Sequence, residues 1–124
     1  MKEPLLSLVI PAFNEEKRIC GTLDKVTQYL KHQPYTWEII VVDDGSLDNT
    51  AQQIDNWAKN SAFNQNLRIQ TIPHAGKGWA IKHGMLAAKG QYRFMCDADL
   101  AMPISQLDAF LDKLREGFDI VIGS

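Results

Sequence analysis

Apolar positions fall in short blocks separated by longer stretches of helical spacing. Residues 5–10, 37–42, 67–72, 92–96 and 118–122 are five apolar runs, mostly unbroken and rich in Ile and Val. That is the pattern of strands covered on both faces. Between the first two runs, Ile19, Leu23, Val26 and Leu30 recur at steps of three and four and make one helical stripe. Glu15 and Glu16 are expected at the start of that helix, where its dipole favours negative charge. A second helix is expected to begin near Asp48 or Asn49 and to turn Ala51, Ile54 and Trp57 inward. A third should span roughly 78–88, with Ile81, Gly84, Met85 and Ala88 on one side. Leu107, Phe110, Leu111 and Leu114 mark a fourth, with Pro103 near its start and Gly117 past its end. The sum is β-α-β-α-β-α-β-α-β: an α/β fold with a doubly wound, mainly parallel sheet and helices on both faces.

With 124 residues, the chain is read as a single domain, 1–124. Its 45% hydrophobic and 23% charged residues are ordinary for a globular protein. A net charge of −2 gives no bulk attraction to nucleic acid or to an anionic membrane, so no nucleic-acid partner is expected. Cys20 and Cys96 have neither metal-ligand nor disulfide spacing and read as thiols in a reducing compartment. No apolar run approaches the roughly 20 residues of a membrane span, and the N-terminus has no signal-peptide pattern. A soluble, cytoplasmic protein is expected. Trp37, Trp57 and Trp79 read most simply as packing residues.

The strand ends carry the chemistry. The fourth run ends in Asp97-Ala98-Asp99, and the second ends in Asp43-Asp44-Gly45-Ser46. In an open parallel sheet, ligands bind beyond the carboxyl ends of the strands. Two acidic strand ends therefore suggest one acidic pocket. Mg2+ and Mn2+ favour carboxylate oxygens together with substrate phosphates and water. Two bare carboxylates about 4 Å apart repel by several kcal/mol at a typical effective dielectric, so a diphosphate fits there only with a bridging cation. After the first strand, Pro11 is expected to turn the chain out of the sheet. Phe13 can pack against a planar base; Asn14 and Glu15 can hydrogen-bond it or cap the helix. The carboxylates of Asp43 and Asp44 suit an N–H on a base edge or ribose hydroxyls. His74-Ala75-Gly76-Lys77-Gly78 opens the third helix without P-loop spacing. In it Lys77 can neutralise a phosphate, while His74 reads as a loop residue.

Taken together, Val9-Ile10-Pro11-Ala12-Phe13-Asn14-Glu15, Val41-Val42-Asp43-Asp44-Gly45-Ser46, Gly76-Lys77-Gly78 and Asp97-Ala98-Asp99-Leu100 resemble the family 2 inverting glycosyltransferases. The nearest branch is the one that makes dolichyl- or polyprenyl-phosphate sugars. The resemblance implies the Rossmann-like half of an A-type glycosyltransferase fold. It also implies a UDP- or GDP-sugar donor, a polyprenyl phosphate or other glycan acceptor, and Mg2+ or Mn2+ as cofactor. Pro11, Phe13 and Glu15 would line the nucleotide site, and Val42 and Asp44 would hold the base. Asp97 would meet the ribose or a metal-bound water, Ala98 would offer backbone contacts, and Asp99 would ligate the metal. That metal would stabilise the departing nucleoside diphosphate. Ala101 stands where some mannosyl-transferring members carry a ligating Gln, which turns the reading towards the glucosyl branch.

The family's catalytic domain is roughly twice this length, and its acceptor site and catalytic base are expected in the other half. These residues alone are therefore expected to bind without turnover, and to form a homodimer through apolar surface around residues 118–122. The full-length protein is expected at the cytoplasmic face of a membrane. A non-catalytic nucleotide-sugar-binding module is the alternative. A phospho-acceptor receiver domain fits poorly, because its acidic residues would follow the first and third strands. A nucleotidyltransferase would need a basic, Gly-rich loop in place of Pro11-Ala12-Phe13-Asn14-Glu15.

Overall fold

The computed structural model describes residues 3–99 and 107–115. In chain order these form β1 (Leu6–Ala12), α1 (Ile19–Leu30), β2 (Trp37–Asp43), α2 (Thr50–Asn60), a 3-10 turn (Asn64–Asn66), β3 (Leu67–Thr71), α3 (Lys77–Ala87), β4 (Tyr92–Met95) and α4 (Leu107–Arg115). The four strands make one sheet in the order β3-β2-β1-β4, with every pairing parallel. The expected fifth strand at 118–122, together with Leu100, Ala101, Pro103 and Gly117, lies outside the described residues.

Alternation along the central strands divides the core in two. Leu6, Leu8, Ile10, Ile39 and Val41 face one way, packed with Ile19, Leu23, Ile54, Leu107 and Leu111 from α1, α2 and α4. Val9, Ile40 and Val42 face the other way, against Ala80 and Ala88 at α3. Each fully buried Leu, Ile or Val contributes about 1.5–3 kcal/mol. The doubly wound arrangement is thus present, with α3 opposite the other three helices. Gly84 sets how closely α3 approaches: a Cβ there would lie 2.3 Å from Val9 Cγ1 and 3.1 Å from Val42 Cγ2.

Polar groups fasten the far end of α3. Glu38 Oε2 accepts from Ser7 Oγ (2.5 Å) and from the Lys89 N–H (2.8 Å). Its Oε1 accepts from Arg68 Nε (3.1 Å) and Nη2 (2.9 Å), and Arg68 Nη2 also donates to the Ala87 carbonyl at 2.7 Å. Burial alone would raise the Glu38 carboxyl; the bonds from Ser7, Lys89 and Arg68 outweigh it and hold the group below its ordinary value.

Two local expectations change. Pro11 does not turn the chain out of the sheet: β1 continues through Pro11 and Ala12, opposite Val42 and Asp43. The backbone of Val9 faces β4 and that of Ala12 faces β2, so the missing N–H of Pro11 points towards β4. There the ladder has already ended at Val9 and Met95, and no partner is lost. Helix α1 begins at Ile19 with no acidic residue in its first turn. Glu15 and Glu16 precede it, and the Glu15 carbonyl accepts from the N–H groups of Arg18 and Ile19.

Candidate functional site

The strand order builds a crevice before any side chain is considered. From β1 the chain moves outward through β2 to β3 along one side of the sheet, then crosses by α3 to β4 on the other side of β1. Between β1 and β4 the direction of winding reverses, which is where open α/β sheets bind ligands. A cavity of about 330 Å³ opens there, lined by Pro11, Ala12, Phe13, Glu15, Asp44, His74, Lys77, Asp97, Ala98 and Asp99.

Each wall has a local cause. Thr22, buried on α1, donates its hydroxyl to the Ala98 carbonyl and so fixes the Asp97-Ala98-Asp99 turn. Lys77, the first residue of α3, reaches across to form an ion pair with Asp97 Oδ1. Glu15 Oε1 is paired with Arg18 Nη2 at 2.7 Å, whereas its Oε2 is buried with no hydrogen-bond partner among the described residues. Burial, followed by the charges of Asp97 and Asp99, pushes the Cys96 thiol up to about 12.

Asp44 is almost wholly buried and its carboxylate organises the loop after β3. Oδ1 accepts from the Ala75 N–H (2.9 Å), Oδ2 from the Gly76 N–H (3.0 Å), and His74 Nδ1 lies 3.0 Å from Oδ2. Held in this way, the His74 ring stacks on Phe13, with centroids 4.2 Å apart and planes inclined by 24°. Gly45 makes the approach of the two loops possible. Its φ is +67°, and a Cβ would sit 2.6 Å from the His74 nitrogen.

Of the residues singled out in the sequence, Pro11, Phe13, Glu15, Asp44, Lys77, Asp97, Ala98 and Asp99 come together in this cavity. Asn14, Val42 and Asp43 do not line it. Val42 is buried in the core beneath α3. Asn14, at φ 55°, ties two loops: its N–H donates to Ser46 Oγ (2.9 Å) and its Oδ1 accepts from the Leu47 N–H (2.8 Å). Asp43 Oδ1 accepts from Ser46 Oγ at 2.5 Å and shapes the same turn. Ala12 and His74 are lining residues that sequence reasoning missed. Ala12 follows from β1 continuing past Pro11; His74 is placed by Asp44, thirty positions away, which no local pattern shows.

Comparison with known proteins decides the family. The model for glycosyl transferase family 2 matches residues 7–124. The chain belongs to glycosyl transferase family 2. Among curated relatives, a dolichyl-phosphate beta-glucosyltransferase of Trichomonas vaginalis is 38% identical over 117 residues, which covers 90% of this chain and 35% of the relative. The chain thus spans about a third of the length of the curated relatives it matches. Among solved structures, the mannosyltransferase PcManGT from Pyrobaculum calidifontis in complex with GDP-Man and Mn2+ matches with TM-score 0.61 and 26% identity, over 80% of this chain and 28% of that one. Glucosyl-3-phosphoglycerate synthase from Mycobacterium tuberculosis, in complex with Mn2+, UDP and glucosyl-3-phosphoglycerate, matches with TM-score 0.60 and 25% identity, over 77% and 33%. A nucleotide or nucleotide sugar and Mn2+ are thus bound in both of these solved structures.

The donor set at this strand end suits such a metal. Asp97 and Asp99 offer hard oxygen ligands in a cavity shared with Lys77 and the orphan oxygen of Glu15. No group of three or more His, Cys, Asp or Glu able to hold a metal ion occurs among the described residues. Two carboxylates completed by diphosphate and water are a common Mg2+ or Mn2+ arrangement. Among the described residues, no helix is long and apolar enough to cross a membrane.

Proposed function

We propose that residues 1–124 form the nucleotide-sugar-binding unit of a glycosyltransferase that moves a sugar from a UDP- or GDP-sugar to polyprenyl phosphate, with inversion and with a divalent metal. Dolichyl-phosphate glucosyl transfer by the curated relatives makes glucose the favoured sugar. It also makes the cytoplasmic face of a membrane the favoured location. The observation that carries the reading is the cavity at the β1–β4 switch, where Asp97 and Asp99 meet Lys77 and a Phe13–His74 stack. This pairs a hard, charged end for a diphosphate with a flat, apolar wall for a base.

Phe13 packs against the base, and Asp44 keeps His74 in place behind it. The orphan Glu15 oxygen accepts from a donor group on the nucleotide. Lys77 exchanges its contact with Asp97 for one with the diphosphate. Asp97 and Asp99 hold Mg2+ or Mn2+, which when bound offsets the charge gathering on the leaving diphosphate. The acceptor site and base belong to parts of the family fold beyond these residues, and the homodimer expected through 118–122 depends on residues outside those described. A thermal-shift panel tests the donor reading: UDP- or GDP-sugars should raise the melting temperature with Mn2+, and ADP-glucose should do so much less. No shift with any uridine or guanosine diphosphate would refute it.

A further inference from the structure

Helix α3 carries apolar residues on both sides. Its inner face is made of small residues, Ala80 and Gly84, pressed onto β1 and β2. Its outer face carries Trp79, Lys82, His83 and Leu86, at helical spacing. Trp79 is 47% exposed and Leu86 is 75% exposed, so the packing role expected for Trp79 does not hold. The outer faces of α1 and α2 differ. Their exposed positions are Gly21, Asp24, Lys25 and Gln28 on α1, and Gln52, Asp55, Asn56, Lys59 and Asn60 on α2. Only α3 turns large apolar groups outward among the helices α1 to α3, and among the described residues no other helix packs on its side of the sheet.

The charged side chains of α3 and of the turn past its end, Lys77, Lys82 and Lys89, are cationic. Glu38, which accepts from the Lys89 N–H at the far end of the helix, is buried and paired with Arg68. Arg68 is matched by Glu38 and Lys77 by Asp97. Lys82 instead lies over the Trp79 ring, 5.3 Å from its centroid, and His83 meets the same ring edge-on at 5.2 Å. Lys89, just past the helix, is exposed. An indole and a leucine interleaved with cations, with no carboxylate nearby in sequence, match an anionic bilayer surface. There Trp sits at the headgroup level and Lys side chains reach the lipid phosphates. A second copy of the same cationic face would meet it with like charge.

We infer that the outer face of α3 is a docking surface for anionic lipid bilayers, with Trp79 and Leu86 inserting and Lys82 and Lys89 contacting headgroups. None of Trp79, Lys82, Leu86 and Lys89 lines the donor cavity, so the test uses vesicles without polyprenyl phosphate and without nucleotide, and failure of either reading leaves the other intact. The 124-residue chain is sedimented with vesicles of phosphatidylcholine and phosphatidylserine, and with phosphatidylcholine alone. Binding is expected to the mixed vesicles, to fall as salt rises, and to be weak on the neutral ones. Replacing Lys82 and Lys89 by Glu should weaken it by about fivefold or more per site. Trp79→Ala with Leu86→Ser should abolish it while leaving the circular-dichroism melting curve nearly unchanged, as expected for exposed positions. No binding to the mixed vesicles, or equal binding by the Trp79/Leu86 variant, would overturn the inference. So would a dimer seen by light scattering that these two substitutions dissolve, since a second copy would then be the occupant.

Discussion

Asp44 and Lys77 show how much of the site rests on single side chains. Asp44 spends both carboxylate oxygens on the loop that carries His74, so in the proposed function it would act on a base only through the Phe13–His74 stack. Asp44→Ala leaves the Ala75 and Gly76 N–H groups without their acceptor and should lower stability by about 2–3 kcal/mol, read by urea denaturation. It should weaken a nucleoside diphosphate more than inorganic pyrophosphate with Mn2+. Equal losses would mean that the loop, and not the base wall, is what Asp44 serves. Lys77 is placed by the first turn of α3 and contacts Asp97. Lys77→Met should weaken nucleoside diphosphate roughly tenfold, the value of one charge-assisted contact, with uridine or guanosine unaffected. Calorimetry on both ligands checks this, and a parallel loss for the nucleoside would place Lys77 elsewhere.

At the scale of elements, α3 is held by close approach at Gly84 and by the Glu38 cluster at its far end. Gly84→Ala should cost about 1–3 kcal/mol, the usual penalty of overpacking, because its Cβ would meet Val9 at 2.3 Å. Glu38 adds a pH dependence. Its folded value lies below its ordinary value, so its contribution is complete above about pH 4.3 and is lost as the pH falls through the folded value. Glu38→Gln should therefore be less stable at neutral pH and show a shallower acid loss than the parent; identical slopes would assign that loss to other groups.

Periodicity showed the elements themselves, because unbroken Ile and Val runs and three-four spacing report burial directly. Their ends were less legible. β1 passes through Pro11 only because the strand beside it has stopped, and α1 starts at Ile19 because the Glu15 carbonyl closes a turn first. Trp79 looked like core because composition does not tell which side of a helix faces a sheet. Of the site, the carboxylates, Phe13, Glu15 and Lys77 were readable as strand-end chemistry. His74 was not, since only the folded Asp44 carboxylate brings it there, and Val42, Asn14 and Asp43 turn out to support the loops and core around the cavity.

Over the whole molecule, the sheet order converts separate acidic strand ends into one charged crevice beside a single switch point. Asp97 and Asp99 sit where a diphosphate would add further negative charge, and charges of one sign about 4 Å apart repel by several kcal/mol at a typical effective dielectric. Nucleotide binding should therefore be linked to a divalent cation. The direct measurement is calorimetric titration of UDP and GDP into the chain and into Asp99→Asn, each in Mn2+ and in EDTA. Binding of one nucleotide is expected in Mn2+, with its loss in EDTA and its loss in Asp99→Asn even with Mn2+. Equal affinity in EDTA, or an Asp99→Asn variant that binds like the parent, would contradict it.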